Sequence, residues 1–296
     1  MTTVPEHMAT EIASQPDMWA RAADMHAEHA VLPASGAKVA IVGCGTSWFM
    51  AQAYAALRET GGHGVTDAFA ASEAFVNRDY DAIIALTRSG TTSEVRELVA
   101  TQRGRTRVIG IVGDTDSPFV DQVDDLIALP FADEQSVVQT RFATTALAFL
   151  RASLGEDLSP AIDDARIAVA DELDDDLVAA DQVTFLGRGW TVGLAHEAAL
   201  KMREASQSWT ESYPAMEYRH GPISIAAPGR VTWMFGTAPD GLAGNVADTG
   251  ARFVSSGLDP LADLIRAQKL SLLRARAKGL NPDEPRNLTR SVILGS

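Results

Sequence analysis

One motif occurs twice in this sequence at a fixed offset, and a chain built that way folds as two similar halves. The first copy reads Val39-Ala-Ile-Val-Gly43-Cys44-Gly45-Thr46-Ser47, and the second Val183-Thr-Phe-Leu-Gly187-Arg-Gly189-Trp190-Thr191. Gly43 and Gly187, Gly45 and Gly189, and Ser47 and Thr191 all lie 144 positions apart, and Ala51 and Ala55 match Ala195 and Ala199 at the same offset. Each copy predicts a buried strand, a tight glycine turn bearing a hydroxyl, and an alanine-rich helix. Backbone N–H groups and a hydroxyl at a helix N-terminus favour anions, so each half carries a candidate phosphate cradle. Trp48 and Val192 stand where a dinucleotide-binding turn has its third glycine, which argues against NAD or FAD.

The charge balance narrows the partners. A net charge of −14 argues against sequence-independent nucleic-acid binding, which needs a basic surface. It leaves room for a small anion in a locally positive cleft. Cys44 is the only cysteine, so no intrachain disulfide forms and a reducing compartment is expected. The start, Met1-Thr-Thr-Val-Pro-Glu-His, shows no basic or apolar targeting region. No apolar run has the length to span a bilayer. A cytoplasmic location is expected, with no membrane partner.

Short apolar runs alternate with helical stretches along the chain. Glu6–His29 reads as helix interrupted near Gln15-Pro16, because the residue before proline avoids the α region. Strands are predicted at Lys38–Val42, Asp81–Leu86, Arg107–Val112, Asp125–Leu129, Val183–Leu186 and Arg230–Phe235. Helices are predicted at Trp48–Arg58, Ser93–Gln102, Thr140–Leu154 and Leu258–Lys278. Gly155–Asp176 reads as an acidic bridge between halves, and the glycine-rich Ala238–Gly257 resists assignment. The alternation predicts parallel sheets with helical crossovers.

Four constellations carry candidate chemistry. The glycine turns come first; one alone is equally a strand–helix turn that needs glycine for its backbone. Leu86-Thr87-Arg88-Ser89-Gly90-Thr91-Thr92 places hydroxyls and a guanidinium at a strand end opening a helix, where a phosphate is well served. A polar N-cap is the alternative. Glu197, Lys201 and Glu204 share one helical face by spacing, which by itself describes an exposed salt bridge. Their helix leaves the second glycine turn, which brings its early residues toward a strand end. His220 precedes Gly221-Pro222, a constrained turn suited to aiming an imidazole. His26 and His29 have no accompanying ligand pattern and read as solvated, and no metal is expected. Trp190 is open to stacking on a sugar or to simple packing.

These residues resemble the double-SIS (sugar isomerase) family along the whole chain. The likeness rests on Glu11-Ile-x-x-Gln15-Pro16, Gly43-Cys-Gly-Thr-Ser47, Ser89-Gly-x-Thr92, Glu134 through Thr140-Arg141, Glu197 through Glu204, Glu217-Tyr-Arg-His220-Gly-Pro and Pro285-Arg-Asn-Leu-Thr-Arg290-Ser-Val292. It is close to the isomerase half of glutamine–fructose-6-phosphate aminotransferase. Thr87-Arg88-Ser89-Gly90 and Glu134 through Arg141 look more like the stand-alone amino-sugar-phosphate deaminase/isomerase branch, which includes relatives that act as fructosamine deglycases. The resemblance implies an α/β fold of two SIS-type halves, each a parallel sheet flanked by helices. It divides the chain into an N-terminal helical segment (1–35), a phosphate-binding half (36–155) and a second half with the catalytic helix, His turn and tail (156–296).

The resemblance also implies roles. Ser47, Thr87, Ser89 and Thr92, with Arg88, fall where the family holds the sugar phosphate, and Gly45, Thr46 and Glu134 are further substrate-binding positions. Glu204 falls on the carboxylate that moves a proton between C1 and C2. His220 falls on the histidine that assists ring opening from a neighbouring subunit, which implies a homodimer. Glu197 and Lys201 support that helix face. Arg290 stands where the synthase has its Schiff-base lysine; arginine cannot form that imine, and an anionic or hydroxyl group is its expected ligand. With no amidotransferase segment and no N-terminal cysteine nucleophile, no glutaminase activity is expected. The second half is shorter than the synthase's between Pro239 and Gly279, so it is expected to lack a strand–helix pair.

The expected function is cofactor-free isomerisation with deamination of an amino-hexose 6-phosphate. A deglycase, a plain phosphosugar isomerase and a non-catalytic sugar-phosphate sensor remain as alternatives.

Overall fold

The computed structural model describes residues 6–295. Residues 1–5, on which the expectation about targeting partly rests, and Ser296 lie outside the described residues. The chain divides into two units. The first-sheet unit comprises Asp17–Gln135, Gln139–Leu158 and the tail from Asn287. The second-sheet unit comprises the chain up to Pro16, Ser136–Val138 and Ser159–Arg286.

The opening helix, α1 (His7–Ala23), runs through Pro16 without the predicted interruption. Proline has no N–H to offer the Ile12 carbonyl one turn earlier. The Gln15 side-chain amide supplies a replacement, donating to Ile12 O at 3.3 Å and to Gln268 Oε1 at 2.7 Å. A short α2 (His26–His29) follows.

In the first-sheet unit, β1 (Val39–Gly43) leads into α3 (Thr46–Thr60), then β2 (Thr66–Ala70), β3 (Ala82–Thr87), α4 (Ser93–Gln102), β4 (Arg107–Val112), β5 (Asp125–Ala128) and α5 (Arg141–Ser153). All strands pair in parallel in the order β2-β1-β3-β4-β5. β1 and β3 are buried at every position, as expected of central strands covered on both faces. Sequence reading missed β2, whose Thr-Asp-Ala-Phe-Ala is a half-exposed edge with no apolar run.

The second-sheet unit contains α6 (Ser159–Ala170), α7 (Asp175–Ala179), β6 (Gln182–Gly187), α8 (Thr191–Ser206), β7 (Thr210–Pro214), β8 (Arg230–Met234), α9 (Leu242–Ala247), β9 (Arg252–Ser255) and α10 (Pro260–Ala277). Its parallel order is β7-β6-β8-β9, the first four places of the other sheet repeated. β7 keeps the 144-residue offset from β2 and was missed for the same reason. The predicted bridge is a helix: Pro160 opens α6, and Ala161, Ile162, Ala165 and Ala168 form its buried stripe. The glycine-rich segment holds α9 and β9, too short to show periodicity. Among the described residues no helix is long and apolar enough to cross a membrane.

Both glycine turns have the same geometric cause. Gly45 and Gly189 adopt φ of 53° and 59°, a region that side chains disfavour. A Cβ on Gly43 would lie 2.7 Å from Ser47 Cβ and 2.9 Å from Trp48 N, and one on Gly187 would overlap the Thr191 carbonyl. The Gly187 neighbour is backbone and cannot turn aside. Gly187→Ala is therefore expected to destabilise the second-sheet unit by about 2–3 kcal/mol, the scale of core overpacking. Denaturant unfolding checks this; a wild-type midpoint would refute the tight approach.

Candidate functional site

In a parallel sheet ordered 2-1-3-4, the order in which strands are laid down reverses between the first and third strands, and ligands of open α/β sheets bind outside the carboxyl ends at that point. In the first-sheet unit this is the β1/β3 boundary, where Val42 pairs with Ala85. The turn carrying Gly45, Thr46 and Ser47 leaves β1 at this edge, and Thr87-Arg88-Ser89-Gly90-Thr91-Thr92 leaves β3 beside it.

Thr46, Ser47, Thr87, Arg88 and Ser89 are all buried. Gly90 N donates to Thr87 Oγ1 at 3.2 Å, and Thr91 N donates to Ser89 Oγ at 3.2 Å. Gly90 takes φ of 61°, and a Cβ there would collide with the Ser117 hydroxyl. Thr92 stands at the N-cap of α4, yet its side chain makes no capping bond. Helix capping therefore does not account for that hydroxyl. Cys44, in the first turn, has its pKa pushed up to about 11, chiefly by burial and next by the Glu94 charge. It stays a thiol near neutral pH.

Glu134 and Arg290 have definite partners in this unit. Glu134 Oε1 accepts from Thr140 N at 2.7 Å, Thr140 Oγ1 at 2.8 Å and Arg141 N at 2.7 Å, while Oε2 accepts from Phe142 N at 3.1 Å. Its carboxylate caps α5, a favourable place for negative charge. Arg290 was expected to meet an anionic or hydroxyl ligand, and it meets a carboxylate of its own chain. Its Nη2 lies 2.7 Å from both Asp133 oxygens, and Nη1 donates to the Glu134 carbonyl. Arg88 Nη2 donates to the Arg290 carbonyl at 2.8 Å, and Thr91 Oγ1 lies 2.8 Å from Ser291 Oγ. Nothing in the sequence pointed to Asp133, and Thr91 and Ser291 showed there only as members of their motifs, not as partners. Partners some 200 residues apart leave no spacing signal.

In the second-sheet unit, α8 is buried along much of its length, and the expected surface salt bridge lies inside. Lys201 Nζ is 2.5 Å from Glu204 Oε2 and 3.6 Å from Glu197 Oε1. The Lys201 and Glu197 side chains are 1% and 0% exposed, whereas Glu204 keeps 20%. One ammonium between two carboxylates leaves a single carboxylate open to a reactant. His220 is exposed at the end of a 3-10 turn (Glu217–His220), and Gly221 behind it takes φ of 134°. Among the described residues no hydrogen bond or ion pair joins His220 to Glu204.

Two histidines depart from solvated behaviour. His29 rests against the Phe149 ring at 4.8 Å, and burial, then the His26 charge, lowers its pKa. This corrects its reading as solvated. On α8, His196 Nδ1 lies 2.9 Å from Ser212 Oγ, and burial, then the Arg203 charge, lowers its pKa below 6.5. A depressed histidine pKa means the folded state resists a proton that the unfolded chain accepts. Its stability contribution is present above about pH 6.5 and lost as pH falls through the folded values. The melting temperature is therefore expected to drop between about pH 7.5 and 5.5, less steeply in His196→Gln. Equal slopes in both proteins would sink the assignment.

No protein-family model matches the chain. Sequence relatives are glutamine–fructose-6-phosphate aminotransferases (isomerizing). That of Aeropyrum pernix is 29% identical over 267 residues, covering 72% of this chain and 43% of its own. That of Pyrobaculum aerophilum is 28% identical over 348 residues, covering 98% and 58%. The chain spans about half the length of the curated relatives it matches. Among solved structures, glucosamine-6-phosphate deaminase from Thermotoga maritima superposes with a TM-score of 0.83 at 24% identity, covering 97% of this chain and 100% of that one. Tagatose-6-phosphate ketose/aldose isomerase from Escherichia coli gives 0.79 at 16% identity, covering 97% and 95%.

Proposed function

We propose that this chain, which resembles the double-SIS proteins and is similar to the isomerase portion of the glutamine–fructose-6-phosphate aminotransferases, isomerises a phosphorylated hexose, releasing the amine where the sugar carries one. The observation that carries this reading is the Lys201–Glu204 pair, a partly open carboxylate held by a buried ammonium on the helix behind a glycine turn.

The proposed chemistry needs three operations. The sugar phosphate is held by Ser47, Thr87, Ser89 and Thr92 with Arg88, whose hydroxyls and guanidinium suit three anionic oxygens. His220 protonates the ring oxygen as the ring opens. Glu204 takes the proton from C2 and returns it to C1, while Lys201 holds its carboxylate in place. With nitrogen on C2, the shift leaves an imine, which takes up water and releases ammonia. The exposure of His220 suits a residue offered to a second copy of the chain, and a homodimer is part of the proposal.

The test is ammonia release from glucosamine 6-phosphate and galactosamine 6-phosphate, run beside ketose formation from plain hexose 6-phosphates and turnover of phosphorylated fructosamines. Ammonia from an amino sugar supports the deaminase. Release only from a fructosamine makes the protein a deglycase, and ketose formation alone makes it a plain isomerase. A sugar phosphate that raises the melting temperature but is never converted makes it a sensor.

A further inference from the structure

The tail from Asn287 onward lies on the hydroxyl loop of its own unit through polar contacts. Besides the bonds of Arg88 to the Arg290 carbonyl and of Thr91 to Ser291, Ser93 N donates to the Val292 carbonyl at 3.1 Å. Leu294 N donates to Ser93 Oγ at 2.9 Å. The tail's apolar side chains do not anchor it, since Val292, Ile293 and Leu294 are 53%, 54% and 58% exposed. Burial supplies little, so attachment depends on charge and hydrogen bonding. The strongest element is Arg290. Asp133 takes Nη2, the Glu134 carbonyl takes Nη1, and Asp114 lies 4.0 Å from Nη2. Asp133 is two-thirds shielded from solvent and directly precedes the carboxylate that caps α5, so its backbone is fixed.

We propose that Asp133 is a positioning residue: by holding the Arg290 guanidinium it pins the tail onto the loop that carries Arg88, Ser89 and Thr91, and Arg290 anchors the tail instead of contacting substrate. The consequence for ligand binding rests on the sugar-phosphate reading of that loop. Arg290 is engaged by Asp133, and Arg88, the cation assigned to the phosphate, has its guanidinium oriented by the tail's own carbonyl. A loosened tail then misplaces Arg88 and weakens ground-state binding of the phosphate, which lies remote from the reacting carbons.

The experiment compares wild type with Asp133→Asn, nearly isosteric, and with Arg290→Met and Arg290→Lys. Two readouts are taken: amide exchange at Ser93 and Leu294, and binding of inorganic phosphate and glucosamine 6-phosphate. Asp133→Asn and Arg290→Met are expected to speed exchange by about three- to tenfold, the loss of one partly exposed charged hydrogen-bond pair, with Arg290→Lys between them and wild type. KM for a converted sugar phosphate should rise by a similar factor, with kcat within about twofold. Wild-type exchange in Asp133→Asn overturns the anchor. A freed tail with unchanged ligand affinity overturns the positioning role. If wild type binds neither phosphate nor sugar phosphate, the sugar-phosphate reading fails, and the exchange data still decide whether Asp133 holds the tail.

Discussion

Glu204→Gln is expected to reduce turnover of a sugar phosphate by about 10²–10⁴-fold, the range of a positioned general base, with ligand affinity nearly unchanged. The amide keeps the shape and a hydrogen-bond acceptor for Lys201 but takes no proton from carbon. Affinity is expected to survive because the phosphate groups are assigned to the first-sheet unit, whereas Glu204 belongs to α8 of the second. Equal loss of turnover and phosphate binding would remove Glu204 from the catalytic role. Full activity would place the base elsewhere and return α8 to a structural account.

Lys201→Met should be the most destabilising change on that helix. It strips the cation from between two carboxylates, of which Glu197 is wholly buried, and a carboxylate left without its cation in such a place is costly. Breaking a buried pair at one partner costs about 3–5 kcal/mol. For a protein of this size that lowers the melting temperature by about 10 °C. Replacing both members, Glu197→Leu with Lys201→Met, should recover much of the loss, because the wholly buried carboxylate is removed with the ammonium and only the partly exposed Glu204 is left without its cation. Calorimetry on the single and double variants decides it. A double variant no better than Lys201→Met would show that Glu197 does not carry the cost.

The parts of this molecule legible in the sequence are those that a local pattern dictates. β1, β3, β4 and β6 were read as uninterrupted apolar runs because parallel strands are buried on both faces. β2 and β7 were not, since an edge strand buries little and Thr-Glu-Ser-Tyr-Pro resembles any polar loop. The proline in α1 misled because the bond that rescues Ile12 comes from a side chain, Gln15, whose orientation no propensity records. At the site, the spacing of Glu197, Lys201 and Glu204 was visible and their burial was not. An i,i+4 pair reads alike on a surface and in a core. The Asp133–Arg290 contact was beyond reach, since it depends on how the chain returns after more than a hundred residues.

The repeated glycine turns bear on ancestry. Carried back by the offset of the two copies, Glu197, Lys201 and Glu204 fall on Ala53, Leu57 and Thr60 of α3. None of these can ionise. In the other direction, the hydroxyl-rich loop after β3 has as its counterpart after β8 only Phe235-Gly236-Thr237-Ala238. The halves share a backbone and differ in its ornaments, one carrying the oxygen-rich loop and the other the charged helix. Each copy retains the glycines that its turn requires, so backbone geometry outlasted the divergence of side chains. A chain of this build can change the side chains of one half without disturbing the glycine turn of the other.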